Sequence, residues 1–330
     1  MIGCYIHHHG RGHLSRATAI ATALARPVTG LSTLPAPPDW PGDWVQLPAD
    51  DPDGAALDAD AHGRLHWVPL QHPGLRARMA RIAQWIEEHR PEALVVDVSV
   101  EVALLARLHG VPVVTVAMPG HRTDAAHELG FAIAEELIGA WPREADPLGD
   151  AAALRSRVHA VGAISRFAPT EPTAAARERR SVVVLGGAGG DTFTADAVAR
   201  ARAETPGWEW THLGANGSWT DDPWSALLDA SVVVTHAGES AIAEVAAARR
   251  PAIVIPQPRP HDEQRCTAAV LAVERWPALV EAEWPRTGWP ALLERAASLD
   301  AGSWRAWNDG RGAERAAAVI ATVADRSGTR

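Results

Sequence analysis

Short, almost uninterrupted apolar runs separated by helical stretches restrict this chain's fold more than any other feature. Residues 2–6, 93–96, 111–116, 182–185, 232–235 and 252–255 are each too short for a buried helix and lack polar alternation. Strands of that kind are covered on both faces, as in parallel sheets sandwiched between helices. The intervening segments supply such helices. Leu14, Ala17, Ala21 and Leu24 recur at helical spacing before Pro27, and Val102, Leu105, Ala106 and Leu108 do so before Gly110. Strand and helix therefore alternate, which predicts the α/β class.

A length of 330 residues is a prior of about two domains. After Gly162 the pattern breaks, Pro169 and Pro172 interrupt polar sequence, and a new strand begins near Ser181. The reading is two Rossmann-like domains facing across a cleft, over residues 1–164 and 181–330, joined by a linker at 165–180. Ala316, Ala317, Ile320 and Val323 lie at helical spacing near the end and could pack across either domain. Residues 30–71, rich in Pro, Asp and Trp, are expected to form loops and short strands.

All 31 basic residues are Arg, none Lys, which removes Walker-type phosphate loops, Schiff-base chemistry and pyridoxal enzymes. Against 40 acidic residues they leave a net charge of -9, so a nucleic acid is not an expected partner. Cys4 and Cys266 alone make no disulfide framework. With no signal-peptide pattern and no apolar run approaching ~18 residues, a cytoplasmic location without stable membrane insertion is expected. His7, His8 and His9 would point in different directions along an extended chain, a poor arrangement for one metal ion.

Chemistry concentrates in three loops. Gly10-Arg11-Gly12-His13 lies between the first strand and first helix, where backbone N–H groups and the positive helix end favour an anion. A tight turn with an exposed histidine is the plainer alternative. Gly186-Gly187-Ala188-Gly189-Gly190 follows the first strand of the second half and can form a concave array of N–H donors, or a structural turn. It lacks the G-x-G-x-x-G spacing of a dinucleotide fingerprint. The third loop is the most informative: Thr235-His236-Ala237-Gly238-Glu239-Ser240 opens a helix carrying Glu244, followed by Pro251, a strand, Pro256 and Asp262-Glu263-Gln264. Ser240 and Glu244 share a helix face above free N–H groups, so a diphosphate could sit at the helix end and a ribose diol on the carboxylate. An ordinary strand-helix-strand unit with a solvated Glu is the alternative.

This segment resembles the nucleotide-sugar binding box of GT-B glycosyltransferases. His236, Gly238, Glu244, Pro251 and Pro256 match the spacing of the family-one natural-product enzymes, while Asp262 and Gln264 arrive slightly later, as in the lipid-II N-acetylglucosaminyltransferase. Gly12-His13 is similar to the N-terminal histidine loop of that superfamily, and residues 161–166, ending in Arg166, to the element before its linker. The resemblance implies a metal-independent, cofactor-free transfer of sugar from a nucleotide-sugar donor, UDP-linked, to an unidentified acceptor. His236 and the 186–190 loop, with Gly186, Gly187 and Gly189, would hold the diphosphate, Glu244 the ribose, and Asp262 with Gln264 the donor sugar, while Gly12, Arg166, Gly238, Glu239, Ser240 and Glu263 would complete the donor site. His13 would be the general base and Asp97 its orienting acid. The chain departs from the pattern at Glu239, where family-one boxes carry Trp, and at Ala268, where Asn is expected.

Two other readings stay open: a nucleotide-sugar hydrolase or epimerase on the same fold, and a non-catalytic nucleotide-sugar binding protein, which has little reason to keep a His and Asp pair. On the first-domain side, Arg122, Asp124 and His127 are candidates for acceptor contact, or form an exposed helix start.

Overall fold

The computed structural model describes residues 1–8, 11–51, 56–171, 179–187 and 192–328. Strands β1 (Ile2–Tyr5), β2 (Val28–Ser32), β3 (Asp43–Gln46), β4 (Ala93–Asp97), β5 (Val113–Ala117), β6 (Glu136–Gly139) and β7 (Val158–Ala160) form the first sheet, in the order β3-β2-β1-β4-β5-β6-β7. Helices α1 (Arg11–Ala23), α2 (Pro73–His89), α3 (Val100–Leu108) and α4 (Ala125–Ile133) connect them. The second sheet, of order β12-β11-β10-β8-β9, contains β8 (Ser181–Leu185), β9 (Glu209–Leu213), β10 (Val232–Thr235), β11 (Ala252–Val254) and β12 (Ala278–Val280). Its helices are α5 (Ala195–Glu204), α6 (Trp224–Asp229), α7 (Glu239–Ala247), α8 (Glu263–Leu271) and α9 (Trp289–Ala297). The strand pairs of both sheets are parallel.

The absence of polar alternation in the strands now has its cause. In β8, Val182 and Val184 pack beside Phe193, Val198 and Trp289 on one face, while Val183 and Leu185 pack with Ile242 and Val245 of α7 on the other. The first sheet is covered in the same way: Ile2, Cys4 and Val95 meet Ile20 of α1, whereas Leu94 and Val96 meet Ile82, Trp85 and Val102. A last helix, α10 (Gly312–Gly328), returns to the first sheet and buries Ala316, Ala317, Ile320, Val323 and Ala324 against it.

In open parallel sheets, ligands bind beyond the carboxyl ends of the strands. Here the loops after β1, β4, β8 and β10 lead to Gly12, Val98, Gly186 and Gly238, and the two domains meet over them. Gly12 abuts Ser240 so closely that a Cβ at that position would clash with the serine hydroxyl.

Candidate active site

His13 stands in the first turn of α1, and its Nδ1 lies 3.0 Å from Oδ2 of Asp97, the last residue of β4. Asp97 is buried, and Nη2 of the equally buried Arg16 donates to both of its oxygens at 3.0 Å. Burial opposes ionisation, but Arg16 and His13 outweigh it and hold the Asp97 carboxyl well below the usual range. Arg16 Nη2 also approaches His13 Nδ1 to 3.1 Å, yet a guanidinium only donates. The ionised carboxylate is the stronger acceptor for the Nδ1 proton, which leaves Nε2 as the basic nitrogen. Val98, directly after Asp97, has φ of 72°, an unfavourable conformation for a β-branched residue that surrounding structure must hold in place.

Arg16 also crosses the domain seam. Its Nη1 donates to Oε1 of Glu239 at 3.0 Å, at the start of α7. Burial raises the Glu239 carboxyl to about 7 against the pull of Arg16, with Glu263 and Asp97 adding to the rise. Its other oxygen is buried without a hydrogen-bond partner among the described residues. A second link joins Arg11 of α1 to Asp221.

The candidate anion-binding features lie on the second domain. Gly238 caps α7 without a side-chain hydrogen bond, so the first amides of the helix end at the cleft. His236 is buried and stacks on Phe193 with ring centroids 4.0 Å apart. Gly186 and Gly187 follow β8 on the same edge, whereas Gly189 lies outside the described residues, as does Gly10 of the first loop. One turn along α7 from Ser240, Glu244 accepts from Arg166 Nε at 2.9 Å, and Arg166 Nη1 also donates to the Asp221 carbonyl at 2.7 Å. Burial raises the Glu244 carboxyl and Arg166 opposes the shift.

The remaining predicted residues occupy a neighbouring stretch of the seam. Gln264 is buried and its Oε1 accepts from the Gln257 amide at 2.9 Å. Glu263 faces Arg122 Nη2 at 3.6 Å across the domains, and Asp262 accepts from Arg265 Nη1 at 3.2 Å. On the first-domain side Arg122 is turned inward, its Nε donating to the carbonyls of Met118 and Pro119, and His127 is equally buried. Asp124 caps α4 by accepting from the His127 amide. The segment is thus an N-capped helix start with one carboxylate left near the surface.

His13 and Asp97 come together, as do Gly12 with Ser240 and Arg166 with Glu244. Arg16 and Asp221, which complete these contacts, carry no sequence signal of their own. A histidine held by a buried carboxylate can take a proton from a hydroxyl, and a helix start can stabilise a departing anion.

Residues 218–279, which contain His236, Gly238, Glu239, Ser240, Glu244 and 262–264, match the glycosyltransferase family 28 C-terminal domain. No curated protein matches the chain in sequence. Among solved structures, the chain is similar to the glycotransferase of kitacinnamycin, with 17% identity, a TM-score of 0.67 and 98% of each chain covered. MurG of Acinetobacter baumannii is 14% identical over 97% of this chain and 99% of its own, with a TM-score of 0.62. A UDP-glucosyltransferase from Polygonum tinctorium gives 14%, 98% of each chain and 0.67. At these identities the likeness carries the fold, which is the GT-B arrangement of two Rossmann-like domains. The chain thus has the GT-B fold, and residues 218–279 of its second domain match the glycosyltransferase family 28 C-terminal domain.

Proposed function

We propose that the protein moves a sugar from a uridine-linked nucleotide-sugar donor to an acceptor hydroxyl with inversion at the anomeric carbon. The observation that carries this reading is the 3.0 Å contact between His13 and Asp97, set across the seam from the uncapped start of α7. As the acceptor oxygen attacks, its proton goes to His13 Nε2, the bond from the anomeric carbon to the diphosphate breaks, and the charge on Asp97 stabilises the imidazolium. The α7 amides, Gly186, Gly187, Ser240 and His236 receive the departing diphosphate. Glu244 takes the ribose hydroxyls, exchanging part of its contact with Arg166, and Asp262, Glu263 and Gln264 line the donor sugar. These donors suffice for the leaving group without a lysine or divalent cation.

The test is nucleotide release from a panel of nucleotide sugars, with and without hydroxyl acceptors. Release that depends on an acceptor and yields the opposite anomer supports the proposal, and release to water alone favours the hydrolase reading. Turnover is expected to persist in EDTA; if chelation abolishes it and Mg²⁺ or Mn²⁺ restores it, the diphosphate needs a metal after all.

Glu244→Ala should weaken uridine diphosphate binding by about 1.5 to 3 kcal/mol, the contribution of a hydrogen-bonded carboxylate. The same substitution leaves Arg166 without its side-chain partner, so calorimetry of Arg166→Ala separates the two. An affinity unchanged by Glu244→Ala would take the ribose contact away from this residue.

A further inference from the structure

Outside the proposed donor contacts and the His13–Asp97 pair, three imidazoles converge at the domain seam around the Asp124 carboxylate. His66 Nε2 is 3.2 Å from Asp124 Oδ1, His127 Nδ1 is 2.5 Å from Asp124 Oδ2, and His261 Nδ1 is 3.9 Å from that same oxygen. One ligand atom from each residue lies within 4.8 Å of every other. Ligands held about 2.0–2.1 Å from a tetrahedral ion stand about 3.3 Å apart; the 3.2 Å from His66 to Asp124 Oδ1 matches that bite, and the 3.9 Å from His261 to Oδ2 is wider than it.

The backbone on both sides is fixed in place. Glu101 Oε1 accepts from the amides of His66 and Trp67 at 2.7 and 3.1 Å. His261 sits in the left-handed region with φ of 59°, and its carbonyl accepts from the His121 amide at 2.8 Å. Gly120, with φ of 113°, makes this approach possible, because a Cβ there would strike the His261 carbonyl.

His127 differs from the other two imidazoles. Arg122 Nη1 donates to its Nε2 at 2.9 Å, and a guanidinium has no lone pair to offer. The ring proton therefore sits on Nδ1 and is given to Asp124. His127 holds the carboxylate rather than contributing a lone pair.

We propose that His66 Nε2, Asp124 and His261 Nδ1 bind one transition-metal ion of the zinc class across the domain seam, with water completing its coordination and His127 positioning the carboxylate. Two imidazoles and a carboxylate suit that class, and a hydrogen-bonded partner on a ligand is the usual way such ligands are oriented. His66 and Asp124 belong to the first domain and His261 to the second, so the ion favours the arrangement in which the domains meet. The site uses none of the proposed diphosphate contacts, although His261 directly precedes Asp262 of the proposed donor-sugar residues, and its test reads metal binding rather than transfer.

The experiment is calorimetric titration of the EDTA-stripped full chain with Zn²⁺, paired with the visible absorption of bound Co²⁺. One equivalent should bind, His66→Ala and His261→Ala should each remove it, and His127→Ala should weaken it by about 10- to 100-fold. His8→Ala, in the separate N-terminal histidine run, should leave it intact, and metal-free melting of the variants verifies that they fold. Absence of Zn²⁺ binding, or binding that survives both His66→Ala and His261→Ala, overturns the site. Loss in His66→Ala alone, with His261→Ala unaffected, overturns the bridge between domains, and loss in His8→Ala moves the ion to the histidine run.

Discussion

His13→Ala is expected to lower kcat by roughly 10²- to 10⁴-fold, the usual worth of a positioned general base, while uridine diphosphate binds nearly as before. Proton removal belongs to the transition state, and the proposed function gives the donor's diphosphate and ribose contacts to the second domain. Asp97→Asn should also be slow, because an amide cannot stabilise the imidazolium and can instead donate to Nδ1, reversing the tautomer. The losses should not add, since each residue acts through the other: His13 Nδ1 and Asp97 Oδ2 are 3.0 Å apart. The measurement is kcat and nucleotide affinity for both single variants and the double variant. Additive losses in rate would sink the dyad. If His13→Ala mainly weakens nucleotide binding and Asp97→Asn matters little, His13 contacts the donor phosphate instead, as its place at a helix start beside Gly12 would allow.

The strands and the two-domain division are legible in the sequence because parallel strands covered on both faces must be apolar at every position, a pattern that survives without knowledge of the neighbours. The segment that matches the family 28 domain is legible because one β10-α7-β11 unit carries His236, Gly238, Ser240 and Glu244 within a few turns of chain. The contacts that tie the domains are not. Arg16 is one more arginine on an amphipathic helix, and its partners Asp97 and Glu239 lie 81 and 223 residues further on. Glu239 reads as a departure from a tryptophan pattern, and only the folded chain shows it facing a buried cation. His66 and His261 carry no local motif either, and each belongs to a loop whose position is set by contacts elsewhere, with Glu101 and with the backbone of His121.

Arg16→Met should cost about 3–5 kcal/mol of stability, the range for removing one partner of a buried ion pair, because it strips two carboxylates at once. Arg16 is 5% exposed and serves Asp97 and Glu239 from opposite sides of the seam. The pH dependence identifies which carboxylate matters where. Asp97 is depressed in the native state, so its contribution is fully present above the ordinary carboxylate range and fades only as pH falls through its native value. Glu239 behaves in the opposite sense: raised from 4.5 to about 7, it keeps a proton that the unfolded chain has already released, so stability declines as pH climbs through that interval. At pH ~5.5 native Glu239 is mostly neutral, and Arg16→Met chiefly exposes the cost of Asp97. Near pH 8 wild-type Glu239 is ionised and paired, and the variant must bury it charged without a cation or hold its proton against a higher pH. The gap between wild type and Arg16→Met in denaturant unfolding should therefore be wider at pH ~8 than at ~5.5, and adding Glu239→Gln to the variant should remove that extra width. A gap independent of pH would mean that Arg16 stabilises the protein through Asp97 alone and that the bond across the seam contributes nothing.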